Sequence, residues 1–194
     1  MSIADCIITP PLSRRFYERI AMHQTSPAPW PLAELERLER DEFVARLGGV
    51  YEHSSWVAEL AHRERPFGDF ETLVERFRHQ VAVASVEAKR ALVLAHPELG
   101  GRRLESLTLD SQREQRGAGL SEASSAKIER MTELNRAYRE RHGFPFIIAV
   151  AGLDADRILA EMERRLPRES DQEFTEALAQ IDRIARLRLS QLVA

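Results

Sequence analysis

Cysteine and lysine are scarce in this chain of 194 residues, and each scarcity disfavours a class of chemistry. Because Cys6 is the one cysteine, the chain can form no internal disulfide and offers no cysteine-based metal site. Lys89 and Lys127 are the only lysines, and both lie in charged helical contexts. A Schiff-base lysine needs desolvation to lower its pKa, so pyridoxal-type chemistry is disfavoured. The cysteine usage predicts a reducing, cytoplasmic setting.

Glycine-rich phosphate motifs and long apolar runs are also missing from the sequence. Neither the G-x-G-x-x-G nor the Walker pattern occurs. The longest apolar stretch, FPFIIAVAGL at 144–153, is too short to cross a bilayer. A net charge of −3 gives no reason to expect nucleic acid or a membrane as partner. The histidines do not pair as H-x-x-x-H, so we expect no metal site.

From Pro31 onward, apolar residues recur mostly at helical spacing. We therefore predict an all-α fold: a single domain of about seven or eight helices, with one extended connecting segment, FPFIIAV at 144–150. Residues 1–30 are punctuated by prolines and are predicted to be an N-terminal extension, loosely ordered or with a short helix. Residues 31–194 form the predicted helical domain. The predicted helix caps are Asp41, Asp69, Thr108, Ser121 or Ser124, Asp154, and Ser170 with Glu173 as a capping box.

The stretch ALVLAHPELGGRR presents a lone histidine, His96, where an apolar helix meets a proline. Pro97 cannot continue the helix, so the backbone breaks directly after the histidine. Two interpretations stay open. His96 is either a residue near the last carbonyls of a helix or a catalytic imidazole held in place by Pro97. His53, which precedes a serine cap, is interpreted as structural rather than catalytic.

The stretch LTLDSQREQRGAGL places three polar groups on one helix face. On a helix that begins after Thr108, the residues Ser111, Glu114 and Gln115 lie at i, i+3 and i+4. This pattern fits a solvated face, or a capping box made by Ser111 and Glu114. It also fits a site for a ligand with several donors and acceptors.

Two further features need partners inside the fold. The extended segment 144–150 carries backbone N–H and C=O groups that need hydrogen-bond partners. The segment is either a buried connector in the core or a binding site for a flat, urea-like ligand that supplies those partners. Arg188 lies in the middle of an apolar stripe of the last helix. A buried guanidinium must meet an anion or carbonyl groups, so Arg188 is either in an internal ion pair with a glutamate or clamps a substrate carboxylate.

These stretches together resemble the OHCU decarboxylase family. The motifs that carry the resemblance, over 31–192, are VYEHSSWVAELA, RPF, AHPELGGR, LTLDSQREQRGAGL, LNRAYRERHGFPFIIAVAGL and IDRIARLRLSQL. The resemblance implies an all-helical enzyme, usually a homodimer, that works without a cofactor. It implies decarboxylation of 2-oxo-4-hydroxy-4-carboxy-5-ureidoimidazoline to (S)-allantoin in urate degradation.

The resemblance also implies roles for particular residues. His96 and Glu114 are expected to be catalytic, with His96 paired with or close to Glu114, and Arg188 is expected to hold the anionic substrate. Arg186 also precedes a leucine and is the alternative arginine. The substrate-binding residues implied are Pro97, Ser111, Gln112, Arg113, Gln115, Phe146, Ile147, Ile148, Ala149 and Val150.

Two other functions fit the same sequence. One is the decarboxylation of a related ureide or imidazoline acid, because the same motifs would serve. The other is a non-catalytic helical module that binds purine-like ligands. The presence of His96 and Glu114 favours an enzyme over a binding module.

Overall fold

The computed structural model describes residues 29–100, 108–120 and 123–194. The short helix expected near the N-terminus, the cysteine Cys6 and the end of the His-Pro motif lie outside these residues. The described residues contain nine helices and no strand, which confirms the predicted all-α class. They are α1 (Leu32–Leu35), α2 (Arg40–Leu47), α3 (Trp56–His62), α4 (Phe70–Val83), α5 (Val86–Leu94), α6 (Leu109–Gly117), α7 (Ser125–His142), α8 (Ala155–Arg165) and α9 (Ser170–Leu192).

Helix α9 is the organising element of the fold. It packs against α4, α5 and α7, while α2, α3 and α4 pack in sequence and α7 pairs with α8. One apolar core joins these helices, with fully buried side chains such as Phe43, Phe77, Tyr138 and Phe146. Trp30 forms an isolated parallel bridge with Val193, so the start of the described chain lies beside its end. Among the described residues, no helix is long and apolar enough to cross a membrane.

Most of the predicted helix caps are confirmed. In each case the side chain accepts a hydrogen bond from the backbone N–H three residues later, which satisfies a donor that the first helical turn leaves free. Helix α7 ends at Gly143 with φ 76°, a left-handed conformation that favours glycine. The confirmed side-chain caps are Asp69, Thr108, Ser124 and Asp154.

Two predictions of helix starts were wrong. The cap of α2 is Glu39 rather than Asp41. The carbonyls of Glu36 and Leu38 accept hydrogen bonds from the side chain of Arg65, which separates α1 from α2. The expected capping box of α9 is also absent, because the Glu173 carboxylate is buried and takes up hydrogen bonds from other helices instead.

Segment 144–150 has neither helical nor strand structure and connects α7 to a turn before α8. It is largely buried, and a hydrogen bond from the Leu153 N–H to the Val150 carbonyl closes the turn that follows. The backbone groups of this buried connector need partners from other parts of the fold, and side chains bond to the Ile147 carbonyl and the Ala149 N–H.

Candidate active site

A cavity of about 330 Å³ lies where the end of α5, helix α6, segment 144–150 and α9 converge. Of the predicted site residues, Gln112 alone lies outside its lining, and the Oε1 of Gln112 accepts a hydrogen bond from Arg116. The predicted residues that line the cavity are His96, Pro97, Ser111, Arg113, Glu114, Gln115, Phe146, Ile147, Ile148, Ala149, Val150 and Arg188. The structure thus brings together four separate stretches of the sequence.

The position of His96 follows from the end of helix α5. The helix ends at Leu94, and the imidazole Nδ1 lies 2.9 Å from the Leu92 carbonyl, one of the acceptors that the last turn leaves free. We assign the proton to Nδ1 on this contact, so that Nε2 is the unprotonated nitrogen. His96 is 6% exposed and lines the cavity, so Nε2 is the nitrogen left for a ligand. Both interpretations of His96 are therefore compatible with its place in the fold.

Glu52 anchors the first turn of α6. Its carboxylate accepts hydrogen bonds from the hydroxyls of Thr108, at 2.7 Å, and Ser111, at 3.0 Å. Because Thr108 is also the cap of α6, one buried carboxylate holds both the start of the helix and the first of its cavity residues. Gln115, one turn later, donates to the Glu98 carbonyl and accepts from the Gly100 N–H, which ties α6 to the loop after Pro97.

Arg188 lies between two carboxylates on the floor of the site. Its Nε and Nη2 donate to the two oxygens of Glu114 at 2.7 and 2.9 Å, and its Nη1 donates to Glu52 at 2.9 Å. Nη2 also donates to the Ser111 hydroxyl at 3.2 Å, while Nη1 points at the Val50 carbonyl. The expected internal ion pair is therefore present, with two glutamates rather than one. The guanidinium is already engaged on every side.

Electrostatics favour the charged forms of Glu52 and Arg188. Burial opposes ionisation of Glu52, but hydrogen bonds from Thr108, Arg188 and Ser111 outweigh it and hold the pKa of its carboxyl below the ordinary value. Burial also opposes the charge on Arg188, yet the two carboxylates raise its pKa. A permanent ionic cluster therefore forms one wall of the cavity.

His96 and Glu114 are expected to be paired or close together, and both line the cavity, but each side chain is bonded to another group. Within the described residues, Glu114 is joined to Arg188, and the imidazole of His96 is oriented by the Leu92 carbonyl. The side chain of Glu114 is 29% exposed and lines the cavity. The two groups line one cavity and can act on the same ligand without contacting each other.

The structure also separates the alternative residues. Arg186, the other candidate arginine, is exposed on another face of α9 and forms a bidentate pair with Glu71. His53 is exposed on the far side of Glu52, with φ 48°. Arg188 rather than Arg186, and His96 rather than His53, therefore line the cavity. Within the described ranges, no three His, Cys, Asp or Glu residues are grouped to hold a metal ion.

A family model described as OHCU decarboxylase matches residues 36–190. A protein of Haloferax volcanii named 2-oxo-4-hydroxy-4-carboxy-5-ureidoimidazoline decarboxylase is 42% identical over 160 residues, which cover 82% of this chain and 94% of that protein. The chain belongs to the OHCU decarboxylase family.

Solved structures agree with this membership. The crystal structure of an (S)-allantoin synthase superposes with a TM-score of 0.71 at 30% identity, and it covers 86% of this chain and 54% of that longer one. A crystal structure of an OHCU decarboxylase in the presence of (S)-allantoin superposes with a TM-score of 0.62 over 74% of this chain and 94% of that one. At 23% identity, this second likeness shows the OHCU decarboxylase fold alone.

Three residues that support the site were not singled out from the sequence. Glu52 precedes His53 in the motif VYEHSSWVAELA, and no pattern in the sequence assigns it a role. Arg165 occupies the apolar face of α8, at i+7 from Ile158, which is the signal that marked Arg188 on α9. Gln180 likewise lies on the buried face of α9. The same pattern, a polar residue within the apolar stripe of a helix, identifies both Arg165 and Gln180.

Proposed function

We propose that this protein is a carbon–carbon lyase that decarboxylates 2-oxo-4-hydroxy-4-carboxy-5-ureidoimidazoline to (S)-allantoin in urate degradation. The observation that carries the proposal is the single cavity in which His96, Glu114 and Arg188 meet the backbone of segment 144–150. The names of the relatives support the same substrate. The cytoplasmic location and the homodimer expected from the sequence stay predictions.

The chemistry needs no electron sink from outside the substrate. When CO2 leaves, the electron pair of the broken C–C bond forms a new C=C bond, and the pair of the neighbouring ring C=N moves onto nitrogen, which takes a proton. The enol then loses its hydroxyl proton and becomes a carbonyl. The carbon that bears the ureido group gains a proton. The protein has to manage these protons and deliver the last one to a single face.

His96 is the group placed to move these protons. Its neutral imidazole presents Nε2 as a base, and the fixed bond from Nδ1 to Leu92 holds the ring in one orientation. Once protonated, the same nitrogen can deliver a proton to one face of the intermediate. This single fixed donor accounts for the formation of one enantiomer.

Glu114 is proposed to bind the ureido N–H groups, because its side chain is partly exposed and lines the cavity. Arg188 fixes that carboxylate through its bidentate pair, which makes Arg188 a positioning residue as well as a positive charge near an anionic substrate. A direct clamp of Arg188 on the substrate carboxylate would require Glu114 to leave it. Arg188 is therefore proposed to act mainly through Glu114 and its charge.

The function is tested by supplying the unstable substrate as it forms. Urate oxidase and hydroxyisourate hydrolase are added in excess to urate, and the circular dichroism of the product is followed with and without this protein. We expect a rapid rise of the (S)-allantoin signal, whereas uncatalysed decay gives racemic product. Slow, racemic product with folded protein would refute the proposal and would favour a related ureide acid as substrate.

The pH dependence of the reaction is expected to reflect the buried imidazole. Burial lowers the pKa of His96 below its ordinary value of 6.5 and outweighs the Leu92 carbonyl and the charge of Glu52, which raise it. The neutral base therefore persists to lower pH than it would in a free histidine. We expect kcat/KM to stay level until the pH is below 6.5 and then to fall as His96 gains a proton. A pH–rate profile with an acidic limb centred above 6.5 would contradict this expectation.

A further inference from the structure

Segment 144–150 forms a wall between two cavities. Ile148, Ala149 and Ala151 line both the candidate active site and a second cavity of about 690 Å³. Gln180 lines the second cavity but not the first. Gln180 therefore contacts the segment from the side away from the candidate active site.

Two side chains hold the backbone of this wall. Nη1 of Arg165 donates to the Ile147 carbonyl at 2.9 Å, and the Ala149 N–H donates to Oε1 of Gln180 at 2.9 Å. Residues two apart in an extended chain direct their backbone groups to the same edge. We therefore expect these two bonds to occupy one edge of the segment and the N–H and carbonyl of Ile148, the residue between them, to lie on the other.

Both side chains are themselves fixed in orientation. The Nε2 of Gln180 donates to Glu176 at 2.7 Å, and this bond turns the amide oxygen toward Ala149. Arg165 is 1% exposed and is held by the fully buried Glu173. The wall is therefore held by a preformed frame of side chains from α8 and α9.

We propose that Gln180 and Arg165 are positioning residues that set the place of the backbone groups with which segment 144–150 binds substrate. This inference rests on the proposed function and extends it to residues outside the active-site cavity. The backbone bonds of the segment hold the substrate before and during the reaction, whereas proton transfer is the task of His96. Loss of the frame should therefore weaken substrate binding and leave the chemical step largely intact.

Gln180 provides the cleaner test, because it is uncharged. Gln180→Met removes the acceptor for Ala149 at nearly constant length. The double variant Glu176→Gln, Gln180→Glu exchanges the two groups, which retains an acceptor at position 180, a donor at position 176 and the net charge. Gln172→Met places the same substitution at an exposed position of the same helix and is the matched control.

The kinetic measurement compares KM with kcat in the coupled assay. We expect Gln180→Met to raise KM about fivefold, as befits one hydrogen bond, with kcat within about twofold of wild type. The double variant should restore KM, and Gln172→Met should leave both constants unchanged. An unchanged KM in Gln180→Met, or a loss confined to kcat, would overturn the inference.

Amide hydrogen exchange of the ligand-free protein provides a second measurement. We expect the Ala149 amide to exchange at least about tenfold faster in Gln180→Met, while the exchange of α9 stays as in wild type. Unchanged exchange at Ala149 would overturn the inference even in an active enzyme. An inactive wild type with the expected exchange would instead refute the proposed function and leave the frame supported, so the two failures are distinguishable.

Discussion

Replacement of His96 by asparagine is expected to lower kcat by about 10²- to 10⁴-fold, the range typical of a lost general acid–base group. Asparagine retains an N–H that can donate to the Leu92 carbonyl, but it cannot carry a proton at neutral pH. The residual product should be racemic, because no fixed donor selects one face of the intermediate. The enantiomeric excess of allantoin is therefore the more sensitive measurement.

His62 provides a matched control for this substitution. It is also a buried histidine, and its Nε2 lies 3.0 Å from the Leu38 carbonyl, but it is outside the active-site cavity. We expect His62→Asn to lower stability as much as His96→Asn does and to leave kcat and the enantiomeric excess unchanged. Activity of His96→Asn within tenfold of wild type would refute the proton-transfer role of His96.

The fold was predictable wherever local physical chemistry decides the structure. Apolar periodicity located the helices, and short polar side chains such as Asp69 and Ser124 marked helix starts because they satisfy free N–H groups. The prediction failed for Ser170 with Glu173, where the local pattern fits a capping box. Tertiary partners decided otherwise, since a fully buried carboxylate gains more from Arg165 and Tyr138 than from a helix end.

The sequence predicts which residues form the site better than it predicts which of them bond to one another. An arginine in an apolar stripe must be paired, and this argument found Arg188. Its partner Glu114 lies 74 residues away, and no sequence spacing tells which cation a carboxylate meets across a fold. For that reason the sequence could place His96 and Glu114 in one site but could not predict that Glu114 is bonded to Arg188. Arg165 carries the same signal as Arg188 but belongs to no motif of the resemblance.

Removal of one partner from the buried pair of Arg165 and Glu173 is expected to be strongly destabilising. Their side chains are 1% and 0% exposed, and the Glu173 carboxylate also accepts from Tyr138 and Arg168. Burial opposes the charge on Glu173, yet these donors lower the pKa of its carboxyl. Arg165→Met removes the buried cation and leaves the Glu173 carboxylate with the half-buried Arg168 as its remaining charged partner. We expect the free energy of unfolding at pH 7 to fall by about 3–5 kcal/mol.

The pH dependence of this loss of stability shows whether it comes from the buried charge of Glu173 or only from lost packing of the Arg165 side chain. In wild type, the lowered pKa of Glu173 adds stability at neutral pH that is lost as the pH falls through the folded value. In Arg165→Met, burial should instead raise the pKa of Glu173. Protonation of Glu173 at lower pH then removes the unfavourable buried charge of the variant, whereas in wild type it removes a stabilising ion pair. The difference between the two proteins in the free energy of unfolding, measured with urea, should therefore become smaller from pH 7 toward pH 5.

The neighbouring residue Arg164 provides the control for this prediction. Its pair with Glu161 is exposed, so Arg164→Met should change the free energy of unfolding by less than about 1 kcal/mol. The double variant Arg165→Met, Glu173→Leu should recover much of the loss, because no charge is then left buried. An equal loss in Arg164→Met and Arg165→Met, or a loss independent of pH, would show that the buried ion pair is not what holds α8 to α9.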